Sequence, residues 1–513
     1  MGLLLVILVV LMHLHTASWP VNVDLKIYAV GTHEILHGRL LYTDIWDLKP
    51  PAVWVTYAIY ELVFGYGLHL FPIMAISCNL MIVFGIYRAG VVSGLGRWAG
   101  LLGALIWTLQ CADVNLELHN ANTEYFINVF IIWAFVGMLS LVCNKPRLWV
   151  SLVVGLCFLC ASLYKHSIIL GLIPLVGVYI GVQWRAGQLR LAIRDIFIWT
   201  VVGLVGWTNI FAYFAIQGRF DDIYFTLITY SQTYGGSVFQ NLKAKSNFGF
   251  WLDLMSHFRQ FIFLLALNTL ALVELSRNAK WQLPLMLLGY LAFAYVASFC
   301  LVDMFEHYFQ YWIPVLCLGA GWGIICLWTQ RQKIPRFALA LGTAWFVLGI
   351  ASTQLPSWTG TVEAYNESNF IRQRMAVGRE AGNALSRLIK SDDFVFVWGS
   401  QIEPVMTIGC RMSSGVLMPY AAVEGKYASR LTSMIRKNLQ DHPPSMVILS
   451  EDWLNDVPKR KQHVITLWIY ANFQKMAMSD QFPGLSFWIP NDSLQDIPAV
   501  PDSEDELQQS LEF

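Results

Sequence analysis

Long apolar runs separated by short polar loops occupy residues 1–355 of the 513-residue chain. Each run has about 18–24 residues, enough for an α-helix rising about 1.5 Å per residue to cross the roughly 30 Å hydrocarbon core of a bilayer. This pattern predicts about eleven membrane-spanning helices. Their approximate ranges are 2–18, 68–88, 97–113, 123–143, 148–164, 167–184, 196–216, 251–273, 282–302, 308–328 and 335–355.

Two shorter apolar stretches need a separate interpretation. The first run, Leu3 to Ala17, has no basic residue before it and no clear small-x-small cleavage site after it. We therefore expect it to remain as the first helix rather than to be removed as a signal peptide. Residues 52–64 are apolar and aromatic but too short to span, which predicts a helix lying in the membrane interface.

Residues 356–492 have the mixed composition of a soluble domain. A helical pattern at 366–389 precedes two strand-like runs at 394–398 and 445–449, with a further helical pattern between the runs. This order is typical of a small α/β domain. Residues 493–513 are acidic and contain proline, so a disordered tail is expected there. The chain therefore divides into a membrane domain at 1–355, a soluble domain at 356–492 and the tail.

The composition agrees with a membrane protein. The chain is 56% hydrophobic and only 13% charged, whereas about 25% of the residues of a soluble globular protein are charged. The formal net charge is zero at pH 7. A surface that binds nucleic acid needs an excess of positive charge, so no nucleic-acid partner is expected.

The charges divide the loops into two alternating sets. The basic set contains Arg88, Arg97, Lys145, Arg147, Arg185, Arg190, Arg194, Arg277, Lys280, Arg331, Lys333 and Arg336. The acidic or mixed set contains Asp24, Glu34, Asp44, Asp47, Asp113, Glu117, Glu124, Asp221, Asp222, Asp303 and Glu306. Because basic short loops stay in the cytoplasm, the N-terminus should be cytoplasmic. The predicted fold class is a polytopic α-helical membrane protein with a small C-terminal α/β extracytoplasmic domain. A bacterial inner membrane is expected, since no retention signal for the endoplasmic reticulum is visible.

Acidic and basic residues gather at the predicted outer ends of several spans, where ionisable groups are costly unless they have a function. They are Asp24 after the first span, Lys49 in Lys49-Pro50-Pro51, Glu124 at the start of the fourth span, Lys165 before the sixth, Arg259 in the eighth and His307 at the start of the tenth. Together they are what a site for an anionic lipid-linked substrate needs. The cations would bind a phosphate, and a carboxylate would transfer a proton.

Each of these residues also has a simpler interpretation. Asp24 could be a solvated loop acid or a helix cap, and Glu124 could be a favourable acid in the first turn of its helix. Lys49 could be an interfacial lysine whose side chain reaches toward water. The prediction of a site therefore depends on the collection of residues and not on any single member.

Several short motifs follow one another along the chain in a specific order. Asp24 follows the first span, Gly38-x-x-x-Tyr42-x-Asp44 precedes Lys49-Pro50-Pro51, Lys165 precedes the sixth span, and His307-Tyr308-Phe309 followed by Pro314 opens a late span. A strand Val395-x-x-Trp398-Gly399 begins the soluble domain. In these features the sequence resembles the GT-C superfamily of membrane glycosyltransferases. The closest likeness is to the branch that holds the protein O-mannosyltransferases and the lipid A aminoarabinose transferases.

The resemblance implies a polyprenyl-phosphate-linked sugar as donor, a lipid, glycan or protein as acceptor, and membrane lipids as further partners. Asp24 would match the catalytic acid residue, with Glu124 as the second candidate carboxylate. Lys49 and Tyr308 would match contacts to the donor phosphate, Lys165 a further basic contact and Arg259 a phosphate-binding arginine. Asp44 and His307, which belong to the matched motifs, are further candidate substrate contacts. Leu25 stands where many members carry a second acid. Leu48 stands where some members carry a metal-binding Glu, so a divalent metal is allowed as a cofactor but not favoured.

The implied reaction is a single inverting displacement at the anomeric carbon. One carboxylate takes the proton of the acceptor, and basic groups stabilise the phosphate that leaves. The rival class is a transporter or flippase of lipid-linked anionic substrates. A transporter places substrate groups near the midplane of the membrane, often within inverted repeats. The sequence shows no internal repeat and few charges inside the spans, which favours the enzyme.

The loop charges generate a prediction about topology. A periplasm-active reporter fused after residue 356 and a cytoplasm-active reporter fused after Arg194 should both be active in a bacterial inner membrane. The control exchanges the two reporters between the same two positions, where both should be silent. Activity from the exchanged pair alone would contradict the predicted orientation.

Overall fold

The structure is a computed structural model that describes residues 2–277, 280–301, 305–367 and 370–491. The tail expected at 493–513, and Asp303 of one predicted outer loop, lie outside the described residues. The described chain consists mainly of α-helices, with a small mixed sheet near its C-terminal end. We call the described residues up to Thr359 the membrane part and those from Val362 onward the C-terminal domain.

The membrane part contains α1 (Gly2–Thr16), α2 (Val23–Leu36), α3 (Ala52–Phe64), α4 (Leu70–Val92), α5 (Arg97–Thr108), α6 (Thr123–Cys143), α7 (Leu148–Tyr164), α8 (Ile168–Arg185), α9 (Leu189–Ile216), α10 (Phe220–Tyr224), α11 (Ser231–Gly235), α12 (Val238–Ala244), α13 (Phe248–His257), α14 (Gln260–Arg277), α15 (Gln282–Phe299), α16 (Trp312–Gln330) and α17 (Arg336–Thr359). A π-helix covers Phe225–Tyr230, and 3-10 helices cover Glu306–Tyr311 and Arg331–Lys333.

Each predicted span contains at least one helix. Eight described segments are long and apolar enough to cross a membrane, namely α4, α6, α8, α9, α14, α15, the helical run Glu306–Lys333 and α17. The shorter helices α1, α5 and α7 occupy the remaining predicted positions. The expectation of a polytopic α-helical membrane protein is confirmed, and the chain is an integral membrane protein.

The predicted eighth span is interrupted in the structure. Phe258 separates α13 from α14, with φ −110° and ψ 69° outside the helical region. The first residue of α14, Gln260, is buried and donates to the Asp113 carboxylate at 3.2 Å. This contact with a distant loop sets the start of α14, so the predicted span begins too early in the chain.

The interfacial prediction fits the surface of α3. This 13-residue helix buries Val53, Trp54 and Tyr57. Its other face exposes Val55, Ile59, Leu62, Val63 and Phe64. An exposed apolar face on a helix too short to span is typical of a segment that lies in the membrane interface.

The C-terminal domain contains α18 (Val362–Glu367), α19 (Phe370–Leu385), β1 (Phe394–Trp398), α20 (Glu403–Ile408), β2 (Arg411–Met412), α21 (Tyr420–Val423), α22 (Ala428–Asp441), β3 (Met446–Ser450), α23 (Glu451–Asp456), α24 (Pro458–Gln462), α25 (Val464–Asn472), β4 (Phe473–Lys475), a 3-10 helix (Ala477–Gln481) and β5 (Leu485–Pro490). Both predicted strands and the helix between them are present, which confirms the small α/β domain.

The sheet has the strand order β2-β1-β3-β5-β4. Strand β1 runs parallel to β2 and β3, whereas β5 runs antiparallel to β3 and β4. Helix α22 connects the two central parallel strands and buries Leu431, Ile435 and Leu439. These residues recur every four positions, which is the spacing of one face of a helix.

The C-terminal domain docks on α2 through charged and polar side chains that we call the Glu34 cluster: Glu34, Arg39, Arg411 and Asn438. Glu34 accepts from Nε and Nη2 of Arg411, both at 2.9 Å, and from the Met412 backbone N–H at 2.8 Å. Arg39 donates to the Met412 carbonyl and to Asn438 Oδ1, each at 2.6 Å. A buried charge without partners is strongly destabilising, so the cluster restricts how the domain docks.

Two further contacts join the same two regions. Lys26 of α2 forms a buried ion pair with Glu403 of α20. The Trp46 backbone N–H donates to the Gly415 carbonyl at 2.8 Å. A Cβ atom at Gly415 would collide with the Asp44 carbonyl oxygen, so only glycine allows this close backbone approach.

The Glu34 cluster generates a stability prediction. Glu34→Gln should lower the stability of the protein by about 3–5 kcal/mol, because it leaves the buried Arg39 and the half-buried Arg411 without their carboxylate. Thermal unfolding in detergent measures the loss. The matched control is Glu451→Gln, whose partner Lys475 is 3.9 Å away and partly exposed; the expected loss there is below about 1 kcal/mol. Equal losses from the two variants would contradict a special role for the cluster.

Candidate functional site

A cavity of about 680 Å³ lies between the membrane part and the C-terminal domain. Ligand-binding cavities typically have about 300–1,000 Å³. On the membrane side its lining residues come from segments 20–27, 48–50, 115–124, 165–167 and 305–308 and from residues 231, 235, 257 and 301. These segments belong to the loops and helix ends that the charge pattern places on the outer side.

Asp24 presents its carboxylate to this cavity from the start of α2. The side chain of Asn22 caps the helix by accepting from the Asp24 backbone N–H at 2.9 Å. Asn22 is therefore the cap, and Asp24 lies in the first turn, where the helix dipole favours an acid. Among the described residues, none forms a hydrogen bond or an ion pair with the Asp24 carboxylate, so it is available to a ligand.

Lys49 is held by its backbone and projects a cation into the cavity. Its N–H donates to Asp47 Oδ1 at 2.8 Å, and its carbonyl accepts from the Tyr42 hydroxyl at 2.8 Å. Its Nζ lies 5.4 Å from the centroid of the Tyr28 ring. Burial works to lower the pKa of Lys49, but the carboxylates of Asp47 and Asp24 outweigh it and raise the pKa. Lys49 is therefore a persistent cation.

Lys165 and Glu124 form a buried ion pair on the same wall. Lys165 follows the last residue of α7, and its Nζ lies 3.0 Å from Glu124 Oε1 and 3.7 Å from the centroid of the Tyr308 ring. Glu124 also accepts from the Thr123 hydroxyl at 2.8 Å and from the Tyr311 hydroxyl at 3.4 Å. The Glu124 carboxylate is thus already satisfied by protein groups.

A second acid–base pair joins Glu117 to His307. His307 Nδ1 lies 3.4 Å from Glu117 Oε2, and the same oxygen accepts from Asn22 Nδ2 at 2.7 Å. Burial works to raise the pKa of Glu117, but the hydrogen bond and the charge of His307 outweigh it and lower the pKa. Glu117 is therefore an anion at neutral pH.

The C-terminal domain supplies a mostly apolar wall of the cavity, to which Arg372 and Ser400 add polar groups. The carboxyl ends of parallel strands meet at one edge of a sheet, and this edge commonly binds ligands. Gly399 follows β1 and Trp453 follows β3, and both line the cavity. Gly399 has φ 139°, and a Cβ atom there would collide with Ser450. The rest of this wall includes Val397, Ile402, Met412, Val416, Leu417, Met418, Pro419 and Tyr420.

Comparison of the sequence with protein-family models and with curated proteins gives no match. The structure is similar to the crystal structure of ArnT from Cupriavidus metallidurans bound to undecaprenyl phosphate, with TM-score 0.60, 14% identity and coverage of 98% of each chain. For the apo state of that protein the TM-score is 0.60 and the identity 15%, over 98% of this chain and 99% of the other. ArnT is a GT-C glycosyltransferase. The chain has the GT-C fold.

A second GT-C protein is also similar, at a lower score. The archaeal oligosaccharyltransferase AglB from Archaeoglobus fulgidus, in complex with an inhibitory peptide and a dolichol-phosphate, gives a TM-score of 0.49 and 10% identity over 96% of this chain and 74% of that chain.

Within this GT-C fold, most of the candidate residues meet. Asp24, Lys49, Glu124, Lys165, His307 and Tyr308 all line the cavity. Asp44 does not, because its carboxylate accepts from the Leu40 backbone N–H at 2.8 Å and closes a turn. Arg259 is exposed beside the break between α13 and α14. The geometry therefore gives no support to Asp44 or Arg259 as substrate contacts.

Two features of the site had no signal in the sequence. Glu117 looked like an ordinary loop acid, since nothing local marks its left-handed backbone, with φ 52°. The apolar wall comes from loops of the C-terminal domain, where hydrophobic residues look like core. Among the described residues, no group of three or more His, Cys, Asp or Glu side chains could hold a metal ion.

Proposed function

We propose that this protein is a glycosyltransferase that moves a sugar from a polyprenyl-phosphate donor to a lipid, glycan or protein acceptor. The observation that carries the proposal is the charged wall of the cavity, where the unpaired carboxylate of Asp24 lies with the cations Lys49 and Lys165. The fold shared with ArnT, whose crystal structure holds undecaprenyl phosphate, supports the same class of donor.

The donor phosphate would bind to the cationic side of this wall. Among the described residues, no acid lies within 4.0 Å of the Lys49 ammonium, so this group can bind a phosphate oxygen directly. Lys165 is shared with Glu124 and can add a second contact. Tyr308 and His307 lie on the same side and can donate hydrogen bonds. Such contacts are stronger in a partly dehydrated cavity than in water.

Asp24 would act as the base of a single inverting step. The acceptor oxygen attacks the anomeric carbon while the bond from that carbon to the phosphate oxygen breaks, and its electron pair stays on the phosphate. The proton of the acceptor hydroxyl moves to Asp24. A second catalytic acid is not required, because the phosphate leaves as a stabilised anion. Glu124 is less suited to this role, because its carboxylate is committed to Lys165 and Thr123.

The cavity would face the extracytoplasmic side of a bacterial inner membrane. The residues of the basic loops do not line it. Two of those loops meet where Lys280 Nζ donates to the Gly94 carbonyl at 2.8 Å. Basic loops favour the cytoplasm, so the cavity and the C-terminal domain would lie on the opposite side.

Donor binding can be tested at Lys49. Lys49→Ala should weaken the binding of undecaprenyl phosphate by about 1.5–3 kcal/mol, the usual range for a hydrogen bond to a charged group. Titration of the lipid against both proteins in detergent measures the difference. Undecaprenol, which lacks the phosphate, is the control ligand, and Lys475→Ala on the surface of the C-terminal domain is the control variant. Equal affinities of wild type and Lys49→Ala would exclude Lys49 as a phosphate contact.

The role of Asp24 can be tested with Asp24→Asn. Turnover should fall by roughly 100-fold or more, because asparagine cannot accept the proton, whereas lipid binding and thermal stability should not change. Turnover is the release of free undecaprenyl phosphate from a panel of undecaprenyl-phosphate sugars, with a bacterial lipid extract as the acceptor mixture.

The same assay separates the competing interpretations. Normal turnover in Asp24→Asn would eliminate Asp24 as the base. A wild-type protein that moves intact donor between leaflets but never releases undecaprenyl phosphate would be a flippase. A phosphate acceptor is already ionised and needs little help from a base, so the loss on substitution would then be smaller.

A further inference from the structure

Glu117 touches both sides of the proposed reaction centre. Its carboxylate accepts from Asn22, the residue whose side chain caps the helix that carries Asp24. The same carboxylate faces the His307 ring at 3.4 Å. A single acid therefore links the start of α2, which carries the base, to the 3-10 helix Glu306–Tyr311, which carries the predicted phosphate contacts.

The backbone of Glu117 is tied to the same 3-10 helix. Gln310 Nε2 donates to the carbonyls of both Leu116 and Glu117, at 3.0 and 3.1 Å. Asp113 shapes this loop by accepting from the N–H groups of Asn115 and Leu116 at 2.8 and 3.0 Å. These bonds hold Glu117 in a left-handed conformation, with φ 52°, which glutamate rarely adopts. Such a backbone persists only where its surroundings enforce it, and it occurs most often at functional sites.

We propose that Glu117 is a positioning residue for the transfer reaction. Its carboxylate holds the His307 ring as a cation that faces the donor phosphate. Its hydrogen bond with Asn22 fixes that ring relative to α2, the helix that carries Asp24. His307 then supplies a further cation to the cavity wall that carries Lys49 and Lys165. Arg259, the predicted phosphate-binding arginine, does not line the cavity. The inference rests on the proposed function, since it assumes that a lipid-linked phosphate occupies the cavity.

The charges around His307 make this assignment specific. Glu117 on the loop, Glu124 on α6 and Asp24 on α2 all act on its ring. Lys165 lies on the same wall against the ring of Tyr308. Glu124 is neutralised by Lys165, and Asp24 would receive a proton during the reaction. Glu117 is therefore the acid whose negative charge stays with His307 through the whole reaction.

The test compares wild type with Glu117→Gln, which keeps the size of the side chain and its acceptor for Asn22 but removes the charge. Binding of undecaprenyl phosphate is titrated in detergent from pH 5.5 to pH 8. The result is expressed as the ratio of the two affinities at each pH, which cancels the titration of the lipid phosphate itself. We expect a ratio near one at pH 5.5, where the ring is protonated in both proteins. By pH 8 the variant should bind about tenfold more weakly, since burial disfavours the charged form of the ring once the nearest carboxylate has lost its charge.

Two companion variants complete the test. Glu117→Asp keeps the charge and should keep the affinity ratio independent of pH. In His307→Gln, the addition of Glu117→Gln should have no pH-dependent effect, because the group that titrates is gone. If Glu117→Gln does not fold, the inference is tested by the ratio of the lipid affinity of His307→Gln to that of wild type at each pH. It should be constant with pH, and a ratio that rises toward one at pH 8 would show that His307 loses its proton in wild type.

The outcomes separate this inference from the proposed function. A constant loss of affinity in Glu117→Gln at every pH would mean that Glu117 only supports the loop, and would overturn the inference. A wild-type protein that binds undecaprenyl phosphate no better than undecaprenol at any pH would overturn the proposed donor instead.

Discussion

The pairing of buried charge at Glu34 is the constraint on which the rest of the site depends. This carboxylate has no exposure to solvent, and it is satisfied by guanidinium groups from both sides of the interface and by the Met412 N–H. Because a misaligned buried carboxylate would cost several kcal/mol, the cluster holds the C-terminal domain in one orientation on α2. That orientation brings the carboxyl edge of β1 and β3 opposite the start of α2, and the cavity is the space between them.

The charged wall contains acids and bases in three different states of pairing. Glu124 and Lys165 satisfy each other, Glu117 is shared between His307 and Asn22, and Asp24 and Lys49 form no ion pair among the described residues. In a dehydrated cavity an unpaired charge is costly and binds an opposite charge or accepts a proton strongly. The paired groups shape the wall, whereas the unpaired groups mark where a substrate would be contacted.

Local patterns predicted the elements well and their ends less well. The spans and the strands β1 and β3 follow from run length and residue type, which neighbours along the chain decide. The interruption at Phe258 was missed because the apolar composition continues through it, while a contact between Gln260 and Asp113 sets the start of the next helix. Asp44 and Arg259 were plausible by motif and position, but neither lines the cavity: Asp44 closes a turn, and Arg259 is exposed beside a helix break.

The sequence by itself determined that the chain crosses the membrane many times, that one set of loops collects acids and bases, and that an α/β domain follows. Run lengths and loop charges are local properties, and they survive any rearrangement of the helices. Only the tertiary structure decided which charges pair. Asn22 and Glu117 are 95 positions apart and Glu34 and Arg411 are 377 apart, so no local pattern records their contact. The availability of Asp24 and Lys49, the role of Glu117 and the apolar wall all depend on such distant contacts, because burial and pairing are properties of the packed molecule.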